Sequence, residues 1–421
     1  MDLINVYQIA KSRRKRELNS KNSLVTKLAF LSVSFVITSA YAVQGSLPQL
    51  KAALHISQTQ SEYIATTPSY AVMVFVVLSP LLQQWFKISD KKMIMAGVTV
   101  VGIAGLIPMF VSNYPVILLS RLLLGAGFGL YNSQCISMIS VWYDGDVQSQ
   151  MLGCRAAAEQ IGQAFCLWVA GLFLTFSGNW HMPFLVYALA FIVLVFFAWR
   201  VLDDSAVQRE AAEEAKEAET AVKDNGVTKI SPLVYVLVLF AFVLCIDYVG
   251  LENRYSGLAV AIKGAHYTGA SNFLFLMLIG ATLGGLFYGT IHKYLGFGTV
   301  YLGLVLMALA NFMIGLAGHN FWILTAGLLM VGFPLQLVSP MIFDLLPGLA
   351  PAKNQPMVTS LVLIGFNFGA AFSPTVAEWT NKLLGKPLSG FDLAAPFPYY
   401  GALLVIIAII IFVSRRSSTK R

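Results

Sequence analysis

The sequence predicts an all-α membrane protein built as two pseudo-symmetric six-helix bundles around a central cavity. Charged residues make up 11% of the chain against 57% hydrophobic, and the mean hydropathy is +0.72. A water-soluble globule carries about a quarter charged residues. Apolar stretches of roughly 20 residues, long enough to cross a bilayer, recur about twelve times. One polar segment, DDSAVQREAAEEAKEAETAVKDNGVTKIS from Asp203 to Ser231, divides them into two sets of about six.

In chain order the spans centre near Phe35, Val72, Gly102, Gly127, Phe165, Phe191, Leu239, Ile279, Leu306, Leu329, Gly365 and Ile407. The first needs its own justification, because KSRRKR followed by an apolar run and SAYAV imitates a secretory signal peptide. The run from Leu24 to Leu47 is too long for a signal's apolar region and begins well into the chain, so it reads as an uncleaved helix. The expected organisation is a basic tail over 1–23, a first bundle over 24–201, a charged linker over 202–231, a second bundle over 232–414 and a basic tail over 415–421. The linker is rich in Ala, Glu and Lys, the composition of a solvated spacer.

An even number of spans puts both tails on one side. Arg13, Arg14, Lys15 and Arg16 at one end, with Arg415, Arg416, Lys420 and Arg421 at the other, predict that this side is cytoplasmic, in a multi-pass protein of the plasma membrane. Lys87, Lys91 and Lys92 agree, and the loop at Asn113 and Tyr114 on the opposite side is uncharged. Arg254, Lys263, Lys382 and Lys386 would face outside, so the orientation rests on the first half and the tails.

The net charge of +8 is accounted for by this bias, and no nucleic-acid partner is implied. Cys135, Cys154, Cys166 and Cys245 lie within or beside apolar spans without C-x-x-C spacing. His55, His181, His266, His292 and His319 sit near loops or span ends without ligand spacing, so neither a metal nor a cofactor is expected. A membrane-embedded enzyme would need a convergent acid, base or metal cluster, which the sequence does not suggest. The P-loop pattern is absent, which argues against ATP drive from this chain.

The halves read as copies. Shifting the second by about 207 residues sets SNYPVILLSRLLLG against HNFWILTAGLLMVG and EQIGQAF against FNFGAAF. The shared marks are Asn113 with Asn320, Gly125 with Gly332, Gly162 with Gly369, and Phe165 with Phe372. Parallel repeats of this kind form one transporter architecture, with solute bound near the midplane between the halves.

On the fourth span the stretch LLSRLLLGAGFGLYNSQ carries R-x-x-x-G-x-G-x-G as Arg121, Gly125, Gly127 and Gly129. This resembles motif B of the major facilitator superfamily, and the resemblance runs over essentially the whole chain. The loop after span two, LLQQWFKISDKK, keeps only the basic end of the family's motif A, and GTIHKYLG with Gly289 and Gly296 is its outline in the second half, Lys293 standing where an acid would. Span five resembles motif C of the drug:proton antiporter branch in Gly153, Gly162 and Gly171, while Cys166, Leu167 and Ala170 replace its Gly, Pro and Gly. Motifs A and C are thus degenerate, and antiport is less well supported than the fold.

Candidate site residues follow from charge inside the spans. Arg121 shares a helical face with Gly125, Phe128 and Asn132, while Gly127, Tyr131 and Gln134 share another. Glycines on two faces allow close packing against more than one helix. An arginine facing lipid costs on the order of 2.5 to 3.5 kcal/mol, so Arg121 is expected either to serve the cavity or to be paired structurally. Arg155 and Glu159 lie one turn apart on span five, as a structural pair or as a protonation site tuned by its cation. Asp247 on span seven is a cavity or proton candidate, whereas Glu252 and Arg254 read as the span's exit surface. Asp344 reads as solvated near a span end. Pro334 and Pro340 suggest a bent or locally opened span ten with Gln336 as a weak ligand.

The resemblance implies that spans one, four, seven and ten line the cavity. Ser34, Thr38, Tyr41 and Gly45 make a polar stripe on span one with Gln44 at its margin; Asn132, Tyr248 and, on span eleven, Asn367 complete the lining candidates. The expected function is secondary active transport of a small organic solute, proton-coupled, by one chain acting as a monomer in the bilayer. Export of an amphiphilic compound is favoured over uptake of an organic anion held by Arg121 and Arg155. A membrane sensor or lipid-handling protein on the same scaffold is the reading from another class.

Overall fold

The computed structural model describes residues 23–143, 145–201, 229–351 and 354–419. The basic N-terminal tail before Ser23, nearly all of the charged linker, and Lys420 and Arg421 lie outside the described residues. Among those described, all regular structure is helical.

Among the described residues eleven helices are long and apolar enough to cross a membrane, and a bent pair, taken as one span, makes the twelfth. That pair is α1, Leu24–Phe35 and Ser39–Leu54, bent by 49°. The rest are α2 (Gln58–Phe86), α4 (Tyr114–Trp142), α5 (Gly145–Ser177), α7 (Leu233–Lys263), α8 (Ala270–Leu295), α9 (Gly298–Gly315), α10 (Phe321–Leu345), α11 (Gln355–Leu383) and α12 (Phe397–Thr419), with α3 over Asp90–Met109 and α6 over Met182–Arg200. Polar side chains cap the starts of α1, α2, α4 and α10. Ser57 and Gln60 form a capping box on α2, because the first amides of a helix have no intrahelical acceptor.

The repeat is visible contact by contact. Asn113 caps α4 by accepting from the Val116 amide at 3.3 Å, and Asn320 caps α10 by accepting from the Trp322 amide at 3.0 Å. Gly125 on α4 lies flat on the Pro68 backbone of α2, and Gly332 on α10 on the Met277 carbonyl of α8. Gly162 on α5 meets the Phe35 carbonyl of α1, and Gly369 on α11 the Phe242 carbonyl of α7. Gly129 also faces α2, at Val72 and Phe75, while Gly127 faces Gly97 and Val101 of α3. Glycines here set interhelical distance, since lipid supplies no hydrophobic drive for helices to associate.

Two expectations about individual helices are corrected. α10 was expected to be bent or locally opened at Pro334 and Pro340; Phe321–Leu345 is one continuous helix, so it does not open. Its neighbours clamp it: a Cβ at Gly284 of α8 would stand 3.0 Å from Phe333 Cα, and one at Gly303 of α9 would stand 3.0 Å from the Pro334 carbonyl. The broken helix is α1, with no proline at the break. Ser39–Ser46 is wound as a tighter 3-10 helix, and Ser39 and Ser46 hydroxyls donate to the carbonyls of Val36 and Val43, the local competition that loosens helices rich in small polar residues. The polar stripe expected on a straight span one is therefore re-aimed across the break.

A Cβ added at Gly125 or Gly332 has backbone in its way, and a Cβ at Gly153 or Gly289 has nothing within 4 Å. Gly125→Ala and Gly332→Ala are each expected to destabilise by about 1–3 kcal/mol, read as a fall in Tm in detergent. Gly153→Ala and Gly289→Ala should leave Tm unchanged or raise it. Equal behaviour of the two pairs would contradict the packing described.

Candidate functional site

The halves α1–α6 and α7–α12 meet along two seams, α2 on α11 and α5 on α8. Among the described residues, the bonds across them lie toward the face opposite the start of α1 and the end of α12. Tyr63 and Thr375 share a hydroxyl–hydroxyl bond, the Tyr70 hydroxyl donates to the Ala371 carbonyl at 3.0 Å, Gln49 Nε2 donates to the Tyr267 carbonyl at 2.9 Å, and Thr175 meets Thr268 at 3.0 Å. Ser271, at the start of α8, sits in a socket between Gly45 and Gly171. Toward the termini-bearing face α5 and α8 part, and positions Gly153, Gly285 and Gly289 have no neighbouring atom within 4 Å of a Cβ. The space between the halves is thus sealed at one end.

Beneath the seal lies a buried polar cluster. Arg254 on α7 and Glu62 on α2 form an ion pair across the halves, Nε to Oε1 at 3.3 Å, with the side chains 0% and 1% exposed. Gln58 Nε2 donates to the same Glu62 oxygen at 2.9 Å, and Lys51 Nζ donates to Gln58 Oε1 at 3.1 Å. Arg254 Nη1 donates to Asn381 Oδ1 at 2.6 Å and to the Leu393 carbonyl at 3.0 Å. At the two residues that precede Arg254 on α7, Gln44 Nε2 of α1 donates to Glu252 Oε2 at 3.2 Å and to Asn253 Oδ1 at 3.0 Å. Glu62 Oε2 and Arg254 Nη2 make no hydrogen bond. The pair is therefore held by one bond where a guanidinium and a carboxylate can make two. Burial of both ions costs several kcal/mol each, and one bond offsets little of it.

The expected exit-surface role of Glu252 and Arg254 is corrected by this burial. Neither charge reaches solvent, because α1, α2 and α11 close over that end of α7. Of the two roles expected of Arg121, cavity or structural pairing, its hydrogen bonds are those of the second. Arg121 is fully buried inside the first half, where Nε donates to the Ile64 carbonyl at 2.8 Å, Nη1 to the Tyr187 hydroxyl at 2.7 Å and Nη2 to the Ala40 carbonyl. Tyr187 passes its own proton to the Ser39 carbonyl at 2.8 Å. Asp247 lies away from the seam as well; its Oδ2 accepts from Asn311 of α9 at 2.9 Å, inside the second half.

Arg155 and Glu159 do pair, at 3.4 Å, and Arg155 Nη2 donates to Asn132 Oδ1. Thr38 donates to the Glu159 carbonyl at 2.9 Å, and Tyr41 bonds Ser69 at 3.1 Å. Tyr248 is half-buried one turn before Glu252, and Gln336 is half-buried on α10. Asn367 bonds its own helix at the Leu363 carbonyl, 2.9 Å away. Asp344 accepts from the Tyr288 hydroxyl at 2.5 Å on the exposed side. The structure thus brings together Arg155, Glu159, Asn132 and Thr38 at one level and Gln44 with Glu252 at another, but neither group touches Arg121 or Asp247.

Glu62, Gln58 and Asn381 were missed by the sequence reading. A signal existed: neither Glu62 nor Arg254 has a counter-charge three or four residues away on its own helix, where a helical ion pair would place it. A charge in a span with no partner at helical spacing has its partner on another span.

Known proteins give the same architecture. The sequence model of the Major Facilitator Superfamily matches residues 29–302. The nucleoside transporter NupG superposes with a TM-score of 0.69 at 15% identity, over 92% of this chain and 99% of that one. The peptide transporter POT in complex with sulfate gives 0.71 at 14% identity, over 93% and 94%. The xylose transporter XylE from E. coli, in a partially occluded inward open conformation, gives 0.66 at 12% identity, over 94% and 98%.

Two outcomes follow from the geometry. Arg121→Ala leaves three buried acceptors without their donor, at roughly 1–3 kcal/mol each, and is expected to lower Tm and folded yield rather than turnover per folded molecule. A wild-type Tm would return Arg121 to the cavity. In the socket, a Cβ at Gly171 would stand 2.6 Å from Ser271 Oγ, and one at Gly45 would stand 3.0 Å from Ser271 Cα. Gly171→Leu should hold the seal open, raising thiol labelling of Cys introduced at Gln44; unchanged labelling would exclude the socket as part of the closure.

Proposed function

The chain belongs to the Major Facilitator Superfamily, and from that membership we propose that it is a secondary active transporter of a small organic solute. Transport proceeds by alternating access: residues 24–201 and 232–414 rock against each other as units, in a single chain, around a site between them. The drive is a proton gradient. The observation that supports proton coupling is the buried, singly bonded Arg254–Glu62 pair that joins the halves.

With Glu62 ionised, parting the halves strands a carboxylate and a guanidinium that each lose their partner, a cost of about 3–5 kcal/mol for an orphaned buried ion. A proton on Glu62 removes that cost from the acid, and Arg254 keeps Asn381 and the Leu393 carbonyl on its own half. Protonation therefore favours opening of the sealed face. Glu252, bonded to Gln44 across the same gap, adds a second acid whose contact is broken by the same motion.

The solute site lies between the seal and the open end, where Arg155, Glu159, Asn132 and Tyr41 stand. With the tails in the cytoplasm and the protein in the plasma membrane, export of an amphiphilic compound is the reading carried by motif B. Uptake of an organic anion is the second reading, favoured by one observation: Arg155 Nε makes no bond, so its guanidinium has a donor to offer a carboxylate.

The test is transport in proteoliposomes under an imposed pH gradient, with fluorescent amphiphilic cations and aromatic carboxylates as the two probe sets. Glu62→Gln should abolish gradient-driven accumulation while leaving solute exchange measurable, because a neutral amide cannot carry the proton. Gradient-driven accumulation at the wild-type level in Glu62→Gln would remove Glu62 from coupling. Loss of coupling in Glu159→Gln alone would move it to the Arg155–Glu159 pair.

A further inference from the structure

We propose that a cleft in the second half, between α7, α9, α10 and α12, holds one acyl chain of a bilayer lipid. The cleft has a volume of about 660 Å³, and every residue lining it is apolar, among them Leu233, Leu237, Val243, Phe297 and Ile410. Its rim belongs to the lipid-facing belt, for Leu233, Val236, Leu239, Leu403 and Ile410 are exposed. The occupant is therefore drawn from the bilayer that this surface already meets.

The internal repeat explains why the space exists. In the first half Phe30 of α1 packs against Phe197 of α6 and Trp142 of α4, with ring centroids 5.8 and 5.9 Å apart, and the three rings close the crevice between those helices. The offset that pairs Gly125 with Gly332 sets Leu237 opposite Phe30 and Leu349 opposite Trp142. Phe184 and Phe397, both fully buried at the starts of α6 and α12, align those helices and set Ile410 opposite Phe197. Three rings are replaced by aliphatic side chains. Leu237 and Ile410 are the walls of the cleft.

Such a space does not stay empty beside fluid hydrocarbon. Its lining atoms would forfeit dispersion contacts, and water would find no hydrogen-bond partner on a wholly apolar wall. On α7 the lining runs from Leu233 to Val243, roughly 15 Å of helix, the length of an extended chain on the order of a dozen methylenes. The chain wedges α7 against α12 at the termini-bearing end, while the far end of α7 carries Glu252, Asn253 and Arg254. Lipid occupancy thus bears on the helix that carries the seal.

Native mass spectrometry of the full chain in mild detergent, with dioleoyl-phosphatidylglycerol as the added probe, tests this. The wild type is expected to retain one phospholipid more than Leu237→Phe/Ile410→Phe, which restores the aromatic pair of the first half. Its Tm should rise with dioleoyl but not with dioctanoyl lipid, and the double variant should lose that difference. Should the double variant fail to fold, Val236→Trp on the open rim serves the same comparison. Equal lipid retention and equal thermal response in wild type and variant would overturn the proposal. A dimer in the wild-type spectra that the variant abolishes would also overturn it, by assigning the cleft to a second copy of the chain.

Discussion

A bilayer offers no hydrogen bonds, so a charge or a bared carbonyl within a span has to be answered by the chain itself. Arg254 and Glu62 answer each other across the two halves, and much of the sealed face is arranged around them. Gln58 and Asn381 supply the secondary bonds, and Asn381 in turn donates to the Asp392 carbonyl at 2.7 Å, which ties the segment after α11 to the same cluster. The two halves meet here because neither can satisfy its own charge. An apolar contact of the same area would close the face equally well but would not respond to a proton. A buried pair responds, since its partners cost more apart than together.

The division of labour between seams follows from this. The α5–α8 seam is steric: glycines accept Ser271, and a small side chain fixes how closely the halves approach. The α2–α11 seam is polar, with Tyr63, Tyr70, Thr375 and the Ala371 carbonyl bonded across it. Polar bonds can be exchanged for water as the halves part, whereas a steric fit only permits or forbids contact. A closure that opens repeatedly needs both kinds, one to set the geometry and one to set the energy.

Much of the fold was legible in the sequence because hydropathy and glycine act locally. Twelve apolar runs gave twelve spans, counting the bent pair, and Asn113, Asn320, Gly125 and Gly332 marked equivalent caps and contacts because such residues do the same work wherever the backbone repeats. The polar site was less legible. Arg155 and Glu159 could be paired from spacing alone, but Glu62 and Arg254 are 192 residues apart; Arg254 read as an exit-surface charge, and Glu62 was not singled out. Asp247 looked like a cavity acid because hydropathy registers depth and not direction; which side of α7 it faces is settled by Asn311 on α9. The break in α1 was invisible for a related reason, since tertiary donors stabilise a conformation that the local sequence only permits.

Those donors give Arg121 its place. The helix α2 carries Pro68, which has no amide to offer the Ile64 carbonyl one turn back, and the carbonyls of Ser39 and Ala40 lie just past the break in α1, at the start of its 3-10 segment. Arg121 and Tyr187 donate to all three. In the second half the residue opposite Arg121 is Leu328, also fully buried, and there the demand is absent: α7 runs unbroken from Leu233 to Lys263, and Met277 takes the place of Pro68 against the packing glycine. Repeat-related positions with the same helix contacts thus hold an arginine in one half and a leucine in the other, and the difference accompanies a proline on α2 and a break in α1. The arginine of the fourth span is the consequence of an irregular backbone, and the irregular backbone is what carries Gln44 across to Glu252 and Asn253. A straight α1 would need no arginine on α4, and it would place Gln44 elsewhere than at the seam.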